Sequence, residues 1–131
     1  MRIDSFILEK LQHRSIINAV DRLNYLGNYK CHNNSLNYAL KYPEKVKAIL
    51  GCAQVFNDDG VAAHFVVKLN DGTIVDPTFG RLTSTAYSYL IQIESYTITE
   101  FKPERELVNL KKHLFSLAPW YARLFSSWRK I

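Results

Sequence analysis

Between Val46 and Asp76 the chain runs through three β-prone segments broken by two tight-turn signals, and this block leaves few folds open. Val46–Phe56 is rich in apolar and β-branched residues around Gly51, Val61–Leu69 follows, and Thr73–Asp76 is a third, shorter run. The interruptions are Asn57-Asp58-Asp59-Gly60 and Asn70-Asp71-Gly72. Their residues accept the backbone conformations that hairpin turns demand. Pro77 has no N–H and ends the ladder of the third strand.

Helical patterns flank this block. Cys31 to Tyr42 carries Leu36, Ala39 and Leu40 as an expected buried stripe, with Cys31 and Ser35 a turn behind. Pro43 disfavours the α conformation at Tyr42 and stops that helix. Upstream, Asp4 and Ser5 are good N-cap types, and Phe6, Ile7, Leu8 and Leu11 follow at helical spacing. Ile16, Ile17, Val20 and Leu23 fall on one face of a second helical stretch, which Gly27 is placed to stop. Residues 5–26 are therefore expected to be mostly helix, with a break near His13-Arg14-Ser15.

Downstream, residues 81–85 read as a connection. Ala86–Phe101 alternates through Tyr87, Tyr89, Ile91 and Ile93, then Tyr96 and Ile98, which gives one long strand or two short ones bent near Ser95. Pro103 opens a helix striped by Leu107, Leu110 and Leu114. Pro119 opens the last, with Trp120, Leu124, Trp128 and Ile131 on one line and Tyr121 and Phe125 beside it. Packing across the helical side of the same core is the expected use of that stripe. A membrane surface or a partner is the other use.

Composition narrows the function classes. A chain of 131 residues, read as one domain over 1–131, can bury a real core, and 47% hydrophobic residues exclude disorder. No apolar run is long enough to span a membrane, and charges interrupt Met1–Lys10 where a signal peptide needs an apolar stretch. The chain therefore reads as mature, cytoplasmic sequence. Two cysteines, Cys31 and Cys52, do not make a disulfide framework. One reactive and one buried thiol is the expectation, and a single Cys31–Cys52 bridge is the alternative. The net charge of +5 favours an acidic protein partner, but no nucleic-acid module pattern is present and no specific nucleic-acid binding is expected. Cys31-His32 with Cys52 and His64 follows no metal-site spacing, so neither metal nor cofactor is expected.

Cys31, His64 and Asp76, in that chain order, have the chemistry of a nucleophile, a base and a group that orients the base. Cys31 falls in the first turn of its helix, where unpaired N–H groups and the helix dipole favour a thiolate. Whether His64 meets Asp76 depends on a turn. If Asn70-Asp71-Gly72 is a three-residue loop with Gly72 in the left-handed position, Leu69 faces Thr73, Val66 faces Asp76, and His64 shares a face with Asp76 as its diagonal neighbour. If Asp71-Gly72 is a two-residue turn, Asp76 points away, and Phe65, Val67, Leu69 and Ile74 make a tidier core face. Taken singly, each residue also has an ordinary use: a buried Cys, a structural His, an Asp opening a turn. His32 projects about 100° from Cys31 on a helix and is expected at the surface or helix start rather than as the base. Asn33 and Asn34 are expected to satisfy first-turn N–H groups or to border a cleft.

The order and context of Cys31, the strand Ala48–Val55, His64, and Asp76 before Pro77-Thr78 resemble the transglutaminase-like branch of the papain-like cysteine enzymes. The resemblance covers the central third of the chain. Val66 stands where the family often has an aromatic residue, and Lys30 where it often has a small one. The resemblance implies an α+β fold, a small papain-like domain. The cysteine helix would pack on an antiparallel sheet of about four or five strands, with helices at both chain ends. It implies a cysteine-dependent amide hydrolase or acyltransferase, of protease, deamidase or transglutaminase type, acting on a protein or peptide through Cys31, His64 and Asp76. The oxyanion would be held by the Cys31 backbone N–H and an upstream side chain, Asn28 first and Asn24 second. The alternative is a catalytically silent binding or inhibitor module on the same scaffold, using its basic surface or C-terminal helix.

Overall fold

The computed structural model describes residues 3–23, 30–78 and 87–124. In chain order its elements are α1 (Ile3–Lys10), β1 (Ile16–Ile17), β2 (Asp21–Arg22), α2 (Cys31–Lys41) and β3 (Val46–Val55), then β4 (Val61–Leu69), β5 (Ile74–Asp76), β6 (Tyr89–Tyr96), α3 (Pro103–Ser116) and α4 (Trp120–Leu124). The fold is α+β, with a mixed six-stranded sheet in the order β1-β6-β3-β4-β5-β2.

The centre of the sheet is the block that the turn signals marked out. β3 pairs antiparallel with both β4 and β6, and β4 pairs antiparallel with β5. Strand faces divide the apolar residues into two cores. Ile49, Ala53, Val55, Phe65, Val67, Ile91 and Ile93 pack with Ile3, Ile7 and Leu11 around α1, and with Leu110 and Leu114 of α3. Leu50, Cys52, Val66, Ile74 and Leu90 join Tyr87 in a smaller core, against which Ile17 and Val20 pack. Tyr87 thus leaves the face that the alternation assigned to it beside Ile91 and Ile93. Gly51 admits the Phe65 ring, because a Cβ there would lie 3.2 Å from Phe65 Cε1.

The main correction concerns residues 15–23. A second helix was expected; instead the segment forms the two outermost strands. Ile16 and Ile17 pair with Ile91 and Leu90, while Asp21 and Arg22 run parallel to Val75 and Asp76. Leu23 N also donates to Asp76 O at 3.1 Å. β-Branched Ile16 and Ile17 suit a strand, and two unpaired sheet edges offer backbone partners that outweigh a modest helical preference. The same segment forces curvature. From Ile17 to Asp21 the chain reaches at most about 14 Å. Six strands lying flat would hold their outer edges about 24 Å apart. The sheet is therefore curled, with residues 18–20 crossing between its edges.

Other expectations divide. Ala86–Phe101 supplies one strand, β6, and the sheet has six strands with one parallel pair rather than four or five antiparallel ones. α3 starts at Pro103 and buries Leu110 and Leu114. In its first turn Glu106 Oε2 accepts the Lys102 N–H at 2.7 Å, closing a helix start that has no other side-chain cap. In α2, Leu40 is exposed; the buried positions are Cys31, His32, Asn34, Ser35 and Ala39. α4 packs Ala122 against the larger core and sets Tyr121 edge-on to Phe6 at 6.2 Å, but Trp120, Tyr121 and Leu124 stay exposed. The expected burial of that stripe fails where the helix is described; Phe125, Trp128 and Ile131 lie outside the described residues, as do Gly27 and the connection at 81–85.

Candidate active site

The turn at Asn70-Asp71-Gly72 is the three-residue loop. Leu69 N donates to Thr73 O at 2.8 Å, and Gly72 sits at φ +91°, the region that favours glycine. Asp71 Oδ1 accepts the Thr73 N–H at 2.9 Å and fixes the loop. Val67 pairs with Val75 and Lys68 with Ile74, which sets Val66 opposite Asp76. Ile74 goes to the smaller core with Val66 rather than to the face of Phe65 and Val67. In this register His64 and Asp76 are the diagonal neighbours required, and His64 Nε2 lies 2.8 Å from Asp76 Oδ2.

The same register explains how a helix on one face reaches a histidine on the other. One step past Val66 and Asp76, the partner of Phe65 would be Pro77, which has no N–H to give. β5 ends at Asp76, and among the described residues β4 continues alone along that edge. α2 seats its first turns in the gap. Ser35 Oγ donates to the free Phe65 carbonyl at 3.1 Å, and Asn34 Nδ2 donates to Thr78 Oγ1 at 3.1 Å. Asn34 thus ties the helix to the chain beyond Pro77, and Lys30 at the N-cap supplies no side-chain cap. Cys31 is the first residue of α2 and is 6% exposed.

Asp76 is held from several sides. Its Oδ2 accepts from His64 and from Tyr87 Oη at 2.5 Å, and its Oδ1 accepts the Thr78 N–H at 2.9 Å. Arg22 stacks its guanidinium 4.2 Å from the centre of the Tyr87 ring and donates to Tyr87 O at 2.8 Å. The His64 and Asp76 side chains are 1% and 0% exposed, so water screens this pair very little.

Electrostatics follow from these contacts. Burial opposes ionisation of Cys31, but hydrogen bonds with His32 and His64, the His64 charge and a bond with the Phe65 backbone outweigh it and bring the thiol down to about 6. Burial likewise opposes a charge on His64; the Asp76 carboxylate and its hydrogen bond prevail and raise the imidazole to about 10. Burial would raise Asp76, yet the His64 charge and the bonds from His64 and Tyr87 hold it below the usual carboxylate range. At neutral pH the favoured state is thiolate, imidazolium and carboxylate. Cys52, paired across the ladder with His64, is the opposite case. It is fully buried and pushed far above the ordinary thiol range, first by burial and then by the Asp76 charge. Both cysteines are free, so no Cys31–Cys52 bridge forms.

The structure therefore brings together Cys31, His64 and Asp76. Asn28 and Asn24, the expected oxyanion donors, lie outside the described residues. His32 stands at the helix start, one of its two expected places, but not at the surface: it is 6% exposed and its Nε2 lies 3.1 Å from Glu104 Oε1 on α3. Asn33 Nδ2 approaches the same nitrogen at 3.5 Å. Tyr87 and Arg22 were missed as parts of the site. A buried carboxylate beside a histidine calls for further donors, but nothing local in the sequence says which residues supply them. Among the described residues no group of three His, Cys, Asp or Glu side chains could hold a metal ion, and no helix is long and apolar enough to cross a membrane. Comparison with protein-family models, curated proteins and solved structures gives no significant match.

Proposed function

We propose that this protein is a cysteine-dependent amide hydrolase or acyltransferase acting on a protein or peptide, built on a small papain-like domain of the transglutaminase-like kind. The reading rests on one observation above the others: a buried His64–Asp76 pair at 2.8 Å, with the Cys31 thiol at the head of α2 near enough for the His64 charge to lower its pKa. The Cys31 thiolate attacks the amide carbonyl, forming a C–S bond. The tetrahedral oxyanion takes hydrogen bonds from the Cys31 backbone N–H and from an upstream donor, Asn28 or Asn24. His64 gives its proton to the departing amine as the C–N bond breaks, leaving a thioester. Water or a second amine then attacks the thioester, His64 takes its proton, and the thiolate is released. Asp76 keeps the imidazole oriented through Nε2, with Tyr87 and the Thr78 N–H keeping Asp76 in place.

The test is alkylation with iodoacetamide at neutral pH, followed by a screen of peptide amides for a trapped thioester. Cys31 reacts faster than Cys52, and His64→Ala slows it by at least about tenfold as the thiol returns toward its ordinary pKa. Equally slow labelling of both cysteines would sink the reading.

A second reading is favoured by the low exposure of Cys31 and by the apolar side chains on α4, where Trp120 is 66% exposed. On this reading the scaffold is a silent binding or inhibitor module that meets an acidic protein through its basic surface or that helix. Slow labelling of both cysteines is the result it requires.

A further inference from the structure

Charge is spread unevenly along this chain. Residues 107–131 contain Lys111, Lys112, Arg123, Arg129 and Lys130 and no Asp or Glu. Taking these five from the 17 Lys and Arg leaves 12, which the 12 Asp and Glu of residues 1–106 balance. The net charge of +5 therefore belongs entirely to this one stretch. Both tryptophans, Trp120 and Trp128, lie in it too.

Geometry joins these cations to apolar surface. On α3, Val108, Lys111 and Lys112 follow at helical spacing and share a face, and Val108 and Lys112 are exposed. Phe115 comes one turn later, and the Arg123 guanidinium of α4 lies 5.9 Å from the centre of its ring. Ala122 packs α4 against the larger core, which leaves Trp120, Tyr121 and Leu124 exposed. The Trp120 and Tyr121 rings meet edge to face at 5.9 Å. Cations and large apolar side chains thus occur together at one corner, where α3 passes into α4.

We propose that the α3–α4 corner docks on the surface of an anionic lipid membrane, lying on it without crossing it. The inference uses none of the chemistry proposed for Cys31. Trp and Tyr have an apolar body and a polar tip, which suits the headgroup region of a bilayer. Leu124 adds apolar area beside them, and the surrounding Lys and Arg are drawn to anionic headgroups. The cation set favours lipid over an acidic protein. Three of the five are lysines, which protein interfaces deplete and membrane-surface helices collect. A nucleic acid would stack bases on ring faces, and Leu124 has none to offer.

The experiment is flotation of the full chain with two kinds of vesicle, with tryptophan emission and far-UV circular dichroism read alongside. One vesicle is phosphatidylcholine alone; the other holds about one part phosphatidylserine to three of phosphatidylcholine. The chain binds the second at least about tenfold more tightly, and added salt weakens that binding. Tryptophan emission moves to shorter wavelength as Trp120 leaves water. Trp120→Ala, a change at an exposed position, weakens binding by about tenfold with the circular dichroism unchanged. Lys111→Gln and Lys112→Gln each cost about fivefold. Lys47→Gln on β3 and Lys68→Gln on β4 remove the same charge outside residues 107–131 and change binding by less than about twofold. Absence of binding to the anionic vesicles, or equal binding to both kinds, would overturn the proposal. So would equal losses from the two lysine pairs, which would make the effect one of general basicity. Polyglutamate or single-stranded DNA bound as tightly as the anionic vesicles, with the same emission shift, would assign the corner to an acidic protein or a nucleic acid instead.

Discussion

Two buried histidines are each paired with a carboxylate, and the pairs differ chiefly in where the carboxylate sits. His64–Asp76 spans 2.8 Å and His32–Glu104 spans 3.1 Å, a small difference in length. Asp76 is 0% exposed and Glu104 is 78% exposed, a difference that decides their energetics. The sealed pair has lost its hydration, and its carboxylate is compensated by Tyr87 and the Thr78 N–H. The open pair keeps water on one partner and is screened by it. Similar residue types thus give one arm that is rigid and costly to break, and another that is soft and cheap to alter.

The comparison breaks most sharply at Asp76. Asp76→Ala removes the carboxylate that compensates a buried imidazolium and lowers stability by about 3–5 kcal/mol, read by urea unfolding, with Cys31 alkylation falling in parallel. A loss no greater than that of an exposed ion pair would deny that the pair is sealed. Tyr87→Phe is the next step down. Removing the Oη bond to Asp76 costs about 1.5–3 kcal/mol, since the acceptor is charged, while the ring stays in the smaller core. Urea midpoints of the two variants should keep this order.

Acid and base probe both arms together. Cys31 has a lowered folded pKa, so its contribution is present above the ordinary thiol range and is lost as pH falls through about 6. His64 has a raised one, so its contribution is complete below the ordinary imidazole range and is lost as pH rises through about 10. Between the ordinary imidazole and ordinary thiol values the two slopes oppose each other, so stability followed by chemical unfolding is expected to be nearly flat there, to decline toward about 6 on the acid side and toward about 10 on the basic side, and to take no further slope from these two groups beyond those limits. In Cys31→Ser the acid-side decline attributable to the thiol disappears; its persistence unchanged would show that another group causes it. The smallest effect belongs to the open arm. Glu104→Gln changes the unfolding free energy by less than about 1 kcal/mol, and a larger loss would mean that Glu104 is less solvated than its exposure indicates.

How much of this could be read beforehand depended on the distance over which each feature is determined. The strand block was legible because its period and turn residues are local. The Asn70-Asp71-Gly72 loop narrowed the geometry to two registers, and hydrophobic patterning favoured the wrong one by placing Ile74 with Phe65 and Val67. The observed register puts Ile74 in the second core, which only the curled sheet creates. Residues 15–23 misled for the same reason. Ile16, Ile17, Val20 and Leu23 have helical spacing, but their partners are β6 and β5, more than fifty residues away. His32 was placed at the surface or helix start because helix geometry turns it away from the Cys31 direction, and only the helix start holds. That direction is covered by α3, whose Glu104 lies seventy-two residues along the chain. Leu40 erred the other way: it is apolar at a stripe position yet exposed, and no described element covers it.

The short crossing between Ile17 and Asp21 also bears on how the chain assembles. β3, β4 and β5 are neighbours in sequence and can pair early through tight turns. The two outer strands come from one nearby segment, but each must find a partner far along the chain. Docking one edge brings the other within a few residues of its own partner, so the second closure is nearly intramolecular in effect. The N-terminal segment then behaves as a clasp: absent, it leaves two edges open at once to pairing with other chains; engaged, it closes both in one step.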